Sequence, residues 1–322
     1  VGSEMCIRDR LMPSDVDEAI SAIKKAVRQG SISEEDINAS CRKILQAKYW
    51  TGAYRREAIQ MESLLEDLND PGYQVLYREL AEHSLILAKN RDKLLPISQL
   101  ERTTLATVTI SRDGQMENSR ITDNYLDGDH YTLASEADFS ILDQLILKLD
   151  RYNTLIVHIM NTSRRASRKY GISDKTIYFL NQIDPSVKLI VNVAGTPYAL
   201  GRFSKVDNLD ALILSHADDP LYQEPALQAI FGGASFSGRL PVSVGGMPAG
   251  EGVITGPANR LGYAAPLDVG LHPDTRELME GIIRQALKEK AMPGCQVLVA
   301  RRGKVVWHRS YGYHTYQKKR PV

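Results

Sequence analysis

The sequence predicts an α/β protein built around a mainly parallel sheet, and three observations support this. First, short β-rich runs alternate with helical patterns, the order expected of a parallel sheet with right-handed crossovers. Second, runs such as Leu189-Ile190-Val191 are apolar at every position, which is typical of strands covered on both faces. Third, hydrophobic residues make up 43% and charged residues 25%, as in ordinary globular proteins. The predicted strands are 104–110, 154–160, 188–194 and 211–215, and the helical patterns between them are 138–151, 173–184, 196–203 and 219–231.

Before this region, the residues 14–49 predict two capped helices. Ser14 with Asp17 resembles a capping box in which Asp replaces Glu, and Gly30 ends the helix. Ser33 with Asp36 repeats the cap for the second helix. Pro71 then begins a helix that reaches Leu85. The apolar stripes of the first two helices are Val16, Ile20, Ile23 and Val27, and then Ile37, Cys41, Ile44 and Leu45.

After the last predicted strand, the pattern changes twice. Residues 232–262 are rich in Gly and Pro and predict a loop with one short strand at Leu240–Val244. Pro273 and Asp274 begin a helix over 274–290, and residues 295–300 and 304–311 predict an antiparallel hairpin. An isolated hairpin is marginally stable in water, so we expect residues 264–322 to be less stable than the preceding sheet.

Charge and composition exclude several classes of function. Forty Lys and Arg residues against 39 Asp and Glu give a net charge of +1, which disfavours a nucleic-acid partner. No apolar run approaches the ~20 residues that span a bilayer. Cys6, Cys41 and Cys295 lie far apart, so a disulfide scaffold or a cysteine zinc site is not expected. Gly250, Gly252 and Gly256 do not match a dinucleotide fingerprint, and we predict no cofactor and no metal.

Three segments resemble family 3 glycoside hydrolases. Leu11-Met12-Pro13, followed by the two helices ending at 42–49 (RKILQAKY), is similar to the end of that family's catalytic (β/α)-barrel. The segment 81–90 (AEHSLILAKN), with Leu94-Leu95-Pro96, is similar to the entry of its second, α/β-sandwich domain. The segments 230–233 (IFGG) and 237–242 (SGRLPV) are similar to the end of that domain. The resemblance covers residues 11–262.

The region after residue 262 resembles the beginning of a β-lactamase-type serine hydrolase domain. It carries 293–300 (PGCQVLVA) and 311–313 (YGY), preceded by 259–263 (NRLGY). Bacterial hexosaminidase-like family 3 proteins carry such a fusion, which favours the β-N-acetylhexosaminidase branch by association. We therefore expect a parallel α/β sandwich, preceded by the helical end of a barrel and followed by the start of an α+β domain. The expected boundaries are 1–10 for adapter-like sequence, 11–58 for the barrel remnant, 59–88 for a linker helix region, 89–262 for the sandwich and 263–322 for the last domain.

The family's catalytic residues have no counterpart here. In the hexosaminidase branch the resemblance implies an Asp nucleophile near the seventh barrel strand and a His in a Lys-His-Phe-Pro-Gly-His-Gly-like loop. None of the seven histidines lies in such a pattern. We therefore expect an internal fragment with no catalytic residue, and a parent enzyme, periplasmic or secreted, that acts on a carbohydrate. The alternatives are a β-glucosidase of the same family, or a non-catalytic carbohydrate-binding or structural module attached to a serine hydrolase.

The residues that we expect nearest a sugar are His216, Asp218 and Asp219. They follow the predicted strand 211–215 at its carboxyl end, where open α/β sheets bind ligands. The alternative role is structural, because an Asp before Pro220 is a common start of a helix.

Two polar segments have simpler interpretations. Asp127-Gly128-Asp129-His130 is interpreted as a turn and not as a metal site. The basic run 164–169 (RRASRK) is interpreted as a solvated loop.

Overall fold

The computed structural model describes residues 15–55, 61–114 and 121–322. The adapter-like segment 1–10, the Leu11-Met12-Pro13 motif and Ser14 lie outside these residues. The chain divides into two compact units, Val1–Asn69 and Asp70–Val322. In the described part of the chain, no helix is both long enough and apolar enough to cross a membrane.

The first unit is helical. Its helices are α1 (Val16–Arg28), α2 (Glu34–Trp50) and α3 (Leu64–Leu68). The side chain of Asp15 accepts a hydrogen bond from the Glu18 N–H at 2.9 Å, so the cap predicted at Ser14 is supplied one residue later. The predicted Ser33 cap is confirmed, because Ser33 Oγ accepts from the Asp36 N–H at 3.0 Å. None of the described residues in these three helices is buried. Of the predicted apolar stripes, Val27 and Ile44 are half-buried and the other residues are exposed.

The second unit contains a six-stranded sheet in the order β1-β6-β5-β4-β2-β3. All neighbours are parallel except β1, which runs antiparallel to β6 at the edge. The predicted α/β class with a parallel sheet is confirmed. The strands are β1 (Ile86–Asn90), β2 (Leu105–Ser111), β3 (Gly128–Ala134), β4 (Thr154–Ile159), β5 (Lys188–Val193) and β6 (Leu209–Leu214). The helices are α4 (Pro71–Ser84), α5 (Phe139–Leu149), α6 (Asp174–Asn181) and α7 (Pro220–Ile230), with a 3-10 segment at Pro197–Lys205.

Both faces of this sheet are buried, as the unbroken apolar runs predicted. Alternate residues of a strand enter different apolar clusters: Leu155 and Val157 lie in one, and Ile156 lies in the other. The same alternation places Val191 and Ile190 on opposite faces. Helices therefore cover the sheet on two sides, as parallel sheets require.

Two local predictions were wrong, and one strand was missed. The segment at 127–130 was predicted as a turn, but β3 begins at Gly128 and its polar residues occupy an edge strand. β1 was missed because it follows α4 after the single residue Leu85, so its apolar residues continue the helical pattern. The strand predicted at Leu240–Val244 is absent; Val244 forms only an isolated bridge with Met247.

The C-terminal part of the second unit forms a three-stranded sheet with one helix. Its elements are β7 (Gly262–Tyr263), α8 (Thr275–Lys288), β8 (Gly294–Arg301) and β9 (Lys304–Gly312). The predicted hairpin is confirmed as β8–β9, and β7 adds a parallel third strand beside β9. Ile283, Val306 and Trp307 belong to the small core between helix and sheet.

An ion pair and a half-buried arginine connect this C-terminal sheet to the rest of the unit. Lys304 Nζ lies 2.7 Å from Glu82 Oε2 on α4. One guanidinium nitrogen of Arg260 donates to the carbonyls of Ile97 and Phe231, at 2.6 Å each, and another donates to Ser98 at 2.9 Å. The hairpin is therefore docked on the sandwich and is not an isolated element.

Candidate functional site

The site predicted from the sequence lies at the carboxyl ends of the parallel strands. Asn161 follows β4 and His216 follows β6, on either side of the end of β5. Both residues have left-handed backbones, with φ of 53° at Asn161 and 64° at His216. Left-handed conformations are uncommon outside glycine, and Asn and His are among the residues that adopt them most often. The strand ends therefore turn sharply where the loops begin.

His216 is held in a structural hydrogen bond. Its Nε2 donates to the carbonyl oxygen of Ser84, at the end of α4, at 2.9 Å. Burial lowers the pKa of His216, so the imidazole is neutral at neutral pH. The ring thus ties the end of β6 to the start of β1.

Asp218 joins the ends of β4 and β6. Its Oδ2 accepts from the backbone N–H of Asn161 at 2.9 Å and lies 3.5 Å from the side-chain amide of that residue. Its Oδ1 is buried and has no hydrogen-bond partner in the described part of the chain. Burial raises the pKa of Asp218. Asp218 therefore keeps one buried oxygen that no group of the described residues satisfies.

Asp219 caps a helix. Its side chain accepts from the Leu221 N–H at 2.8 Å at the start of α7. The three predicted residues therefore lie on one loop but point to different partners: the end of α4, the end of β4 and the start of α7. Among the described contacts, no hydrogen bond joins His216 to either carboxylate.

A buried polar row crosses the sheet beneath this edge and was missed by sequence reasoning. Thr109, His158 and Asn192 are register neighbours on β2, β4 and β5. Asn192 donates to Gln223 Oε1 of α7 at 2.9 Å, and Gln223 in turn donates to Ser215 Oγ at 2.8 Å. The signal was present in the sequence, because single polar residues interrupt otherwise apolar strands.

His158 is the most perturbed member of this row. It is completely buried, and neither ring nitrogen has a hydrogen-bond partner in the described residues. Burial, with a smaller contribution from nearby His130, lowers the pKa of His158 to about 3. The side chain is therefore neutral at physiological pH.

A second polar arrangement links Thr107, His130 and Asp123. Thr107 Oγ1 lies 2.8 Å from His130 Nδ1, and His130 Nε2 lies 2.8 Å from Asp123 Oδ1. Enzymes that use a hydroxyl nucleophile activate it with the same three groups in this order: a hydroxyl, an imidazole base and a carboxylate that orients the base. Thr107 is fully buried, however, so no substrate carbonyl can reach its oxygen. The arrangement satisfies polar groups at the edge of the sheet.

A metal would need several converging ligands. In the ranges that the structure describes, no group of three or more His, Cys, Asp or Glu side chains converges in this way.

Comparison with known proteins gives the following. No protein-family model and no curated protein matches the sequence. Among solved structures, a family 3 β-N-acetylglucosaminidase from Paenibacillus sp. is 16% identical, with a TM-score of 0.49 over 69% of this chain and 42% of its own. A β-glucoside phosphorylase is also 16% identical, with a TM-score of 0.49 over 71% of this chain and 42% of its own. A β-glucosidase from Listeria innocua is 11% identical, with a TM-score of 0.43 over 67% and 34%. The chain spans less than half the length of each.

Proposed function

We propose that this chain belongs to a family 3-type glycoside hydrolase, as an internal fragment with residues 89–262 as its α/β-sandwich domain. The parent reaction is the hydrolysis of a terminal β-linked sugar, with β-N-acetylglucosamine as the sugar. The helices of 11–58 belong to its catalytic barrel, and residues 263–322 begin a β-lactamase-like domain.

The observation that carries this proposal is the contact between two motifs that lie about 150 residues apart in the sequence. Gly238 N–H donates to the carbonyl of Leu85 at 2.9 Å, and Ser237 Oγ donates to the carbonyl of His83 at 3.3 Å. A Cβ at position 238 would lie 2.6 Å from the carbonyl oxygens of Ser84 and Leu85, so only glycine allows this approach. The segments that resemble the entry and the end of the family's sandwich domain therefore pack as one element.

The chemistry of retaining glycosidases explains why we assign no catalytic residue here. They need a nucleophile and a proton donor ~5 Å apart across the scissile bond. Of the predicted residues, His216 and Asp219 are engaged in structural hydrogen bonds, and Asp218 alone keeps an unsatisfied oxygen. We propose that Asp218 is the substrate-proximal residue of this edge, and that the sandwich supports a barrel that carries the chemistry.

A turnover assay tests the proposal and its alternatives. A protein extended upstream of Leu11 should hydrolyse p-nitrophenyl β-N-acetylglucosaminide and contain a Lys-His-x-Pro-Gly-His-Gly-like motif. Hydrolysis of the β-glucoside instead, with a Ser-Asp-Trp-type motif, favours the β-glucosidase. Glycan binding without turnover favours a non-catalytic module.

A further inference from the structure

Three arginines on one loop have no assigned role. The basic loop, residues 163–171, connects β4 to α6 and carries Arg164, Arg165 and Arg168. All three side chains are exposed, and none has a hydrogen bond or ion pair with any described residue. Lys169, beside them, is paired with Asp174. The sequence predicted a solvated loop, and the structure adds that its three guanidinium groups have no partner in the ranges it describes.

The backbone of this loop is closed on itself. The Ser163 N–H donates to the Tyr170 carbonyl at 2.8 Å, and the N–H groups of Arg168 and Tyr170 donate to the Arg165 carbonyl at 3.1 and 3.2 Å. At Gly171, with φ of 77°, a Cβ would lie 3.0 Å from the nitrogen of Ser163, so the two arms touch. A closed loop presents its side chains from a fixed base, which lowers the entropy lost when they bind.

The loop lies beside the switch point of the sheet. β2 pairs with β3 on one side and with β4 on the other, and the chain crosses from β3 to β4. In open α/β sheets the crevice at such a point, outside the carboxyl ends of the strands, is where ligands bind. The basic loop follows β4, and Arg112, also exposed and unpaired among the described residues, follows β2. Cationic residues therefore follow the carboxyl ends of β2 and β4, the two strands at the switch point.

Two acidic side chains near the loop, Asp174 and Asp218, already accept hydrogen bonds. Asp174 is held by Lys169 and by Arg202, whose guanidinium nitrogen lies 2.6 Å away, and these two bonds lower the pKa of Asp174. Asp218 accepts from the Asn161 backbone. The free guanidinium groups are thus not neutralised by these two neighbouring carboxylates.

We propose that the basic loop binds a carboxylate-bearing polysaccharide at this crevice. The planar guanidinium group matches a carboxylate with two parallel hydrogen bonds, and several arginines in one loop suit a repeating anion. Nucleic acid is disfavoured because binding proteins of that class present a basic stripe over a whole face, whereas this chain has a net charge of +1. The choice of a glycan as the carrier of the carboxylates rests on the proposed function.

The test is a binding titration of the chain with polygalacturonate at low ionic strength. Fully methyl-esterified polygalacturonate serves as the uncharged ligand. The loop variant is R164A/R165A/R168A, and the matched control is K318A/K319A/R320A, which removes the same charge from another exposed run. Circular dichroism melting of both variants verifies that they fold.

We expect binding to polygalacturonate and none to its methyl ester. The loop variant should bind at least about eightfold more weakly, because each of its three exposed charge pairs is worth about twofold or more. The control variant should bind like the parent. Equal losses in both variants, equal binding of the ester, or no binding of polygalacturonate would overturn the proposal. Tighter, loop-dependent binding of duplex DNA would replace the glycan with nucleic acid. Because the readout is binding alone, a failure of glycoside turnover in the extended protein leaves the result interpretable.

Discussion

His158 makes the stability of the sandwich depend on pH in a direction that the structure fixes. Folding removes this imidazole from water and lowers its pKa from 6.5 to about 3. The unfolded chain therefore binds a proton more readily than the folded chain. As the pH falls through 6.5, stability is lost at ~1.4 kcal/mol per pH unit until the folded side chain itself protonates near pH 3. Between pH 6.5 and pH 5, the free energy of unfolding therefore falls by ~2 kcal/mol through this group.

The variant His158→Leu isolates this contribution, because it removes the titrating group without breaking any hydrogen bond of the described residues. Urea unfolding followed by circular dichroism, at pH 7.5 and at pH 5, gives the free energy of unfolding of each protein. When the pH is lowered from 7.5 to 5, we expect the free energy of unfolding of the parent to fall by ~2 kcal/mol more than that of the variant. The control His83→Gln, on the exposed side of α4, should show no such difference from the parent. A difference between parent and His158→Leu that stays constant with pH would refute the reasoning.

Three further perturbations test the fold. Val191→Asp places an unpaired carboxylate at a fully buried position and should unfold the sandwich. The control Val253→Asp, at an exposed position, should melt like the parent. Equal melting of both variants would contradict the assignment of Val191 to a buried strand. Gly238→Ala should destabilise the protein by ~1–3 kcal/mol, because its Cβ would meet two carbonyl oxygens. The control is Gly256→Ala, whose Cβ would meet nothing within 4 Å. Equal stabilities of the two variants in chemical unfolding would count against the contact between the motifs. Lys304→Met removes the 2.7 Å ion pair to Glu82 and should speed proteolysis after residue 263, and an unchanged cleavage rate would show that this pair does not dock the C-terminal sheet.

Within the six-stranded sheet, the strands that were predicted from the sequence are those buried on both faces. β2, β4, β5 and β6 are mainly apolar and buried along almost their whole length, and no other strand of the described residues shows that pattern. β3 lies at an edge and is half polar, so its residues look like a turn until their pairing with β2 is known. β1 escapes detection because only Leu85 separates it from α4, and pairing with β6, more than 100 residues away, specifies it.

For the candidate site, the sequence predicted where the three residues lie in the chain, and their role near a sugar stays a prediction. Sequence order places His216, Asp218 and Asp219 after a buried strand, and they do lie at its carboxyl end. Their partners could not be read from the sequence, because Ser84 and Asn161 are brought near by the sheet. In the same way, the sequence could not predict that the arginines of the basic loop lack partners, because this depends on which groups the neighbouring carboxylates already bind.

We propose that this chain supports the chemistry of a glycoside hydrolase without carrying it. The most direct measurement is the turnover of p-nitrophenyl β-N-acetylglucosaminide by the 322-residue chain and by the same chain extended upstream. We expect the extended protein to hydrolyse the substrate. We expect no turnover above a matched blank by the chain alone, because losing both the nucleophile and the proton donor removes many orders of magnitude of rate. Turnover by the chain alone that is abolished by Asp218→Asn, or an extended protein inactive on both the β-N-acetylglucosaminide and the β-glucoside, would contradict it.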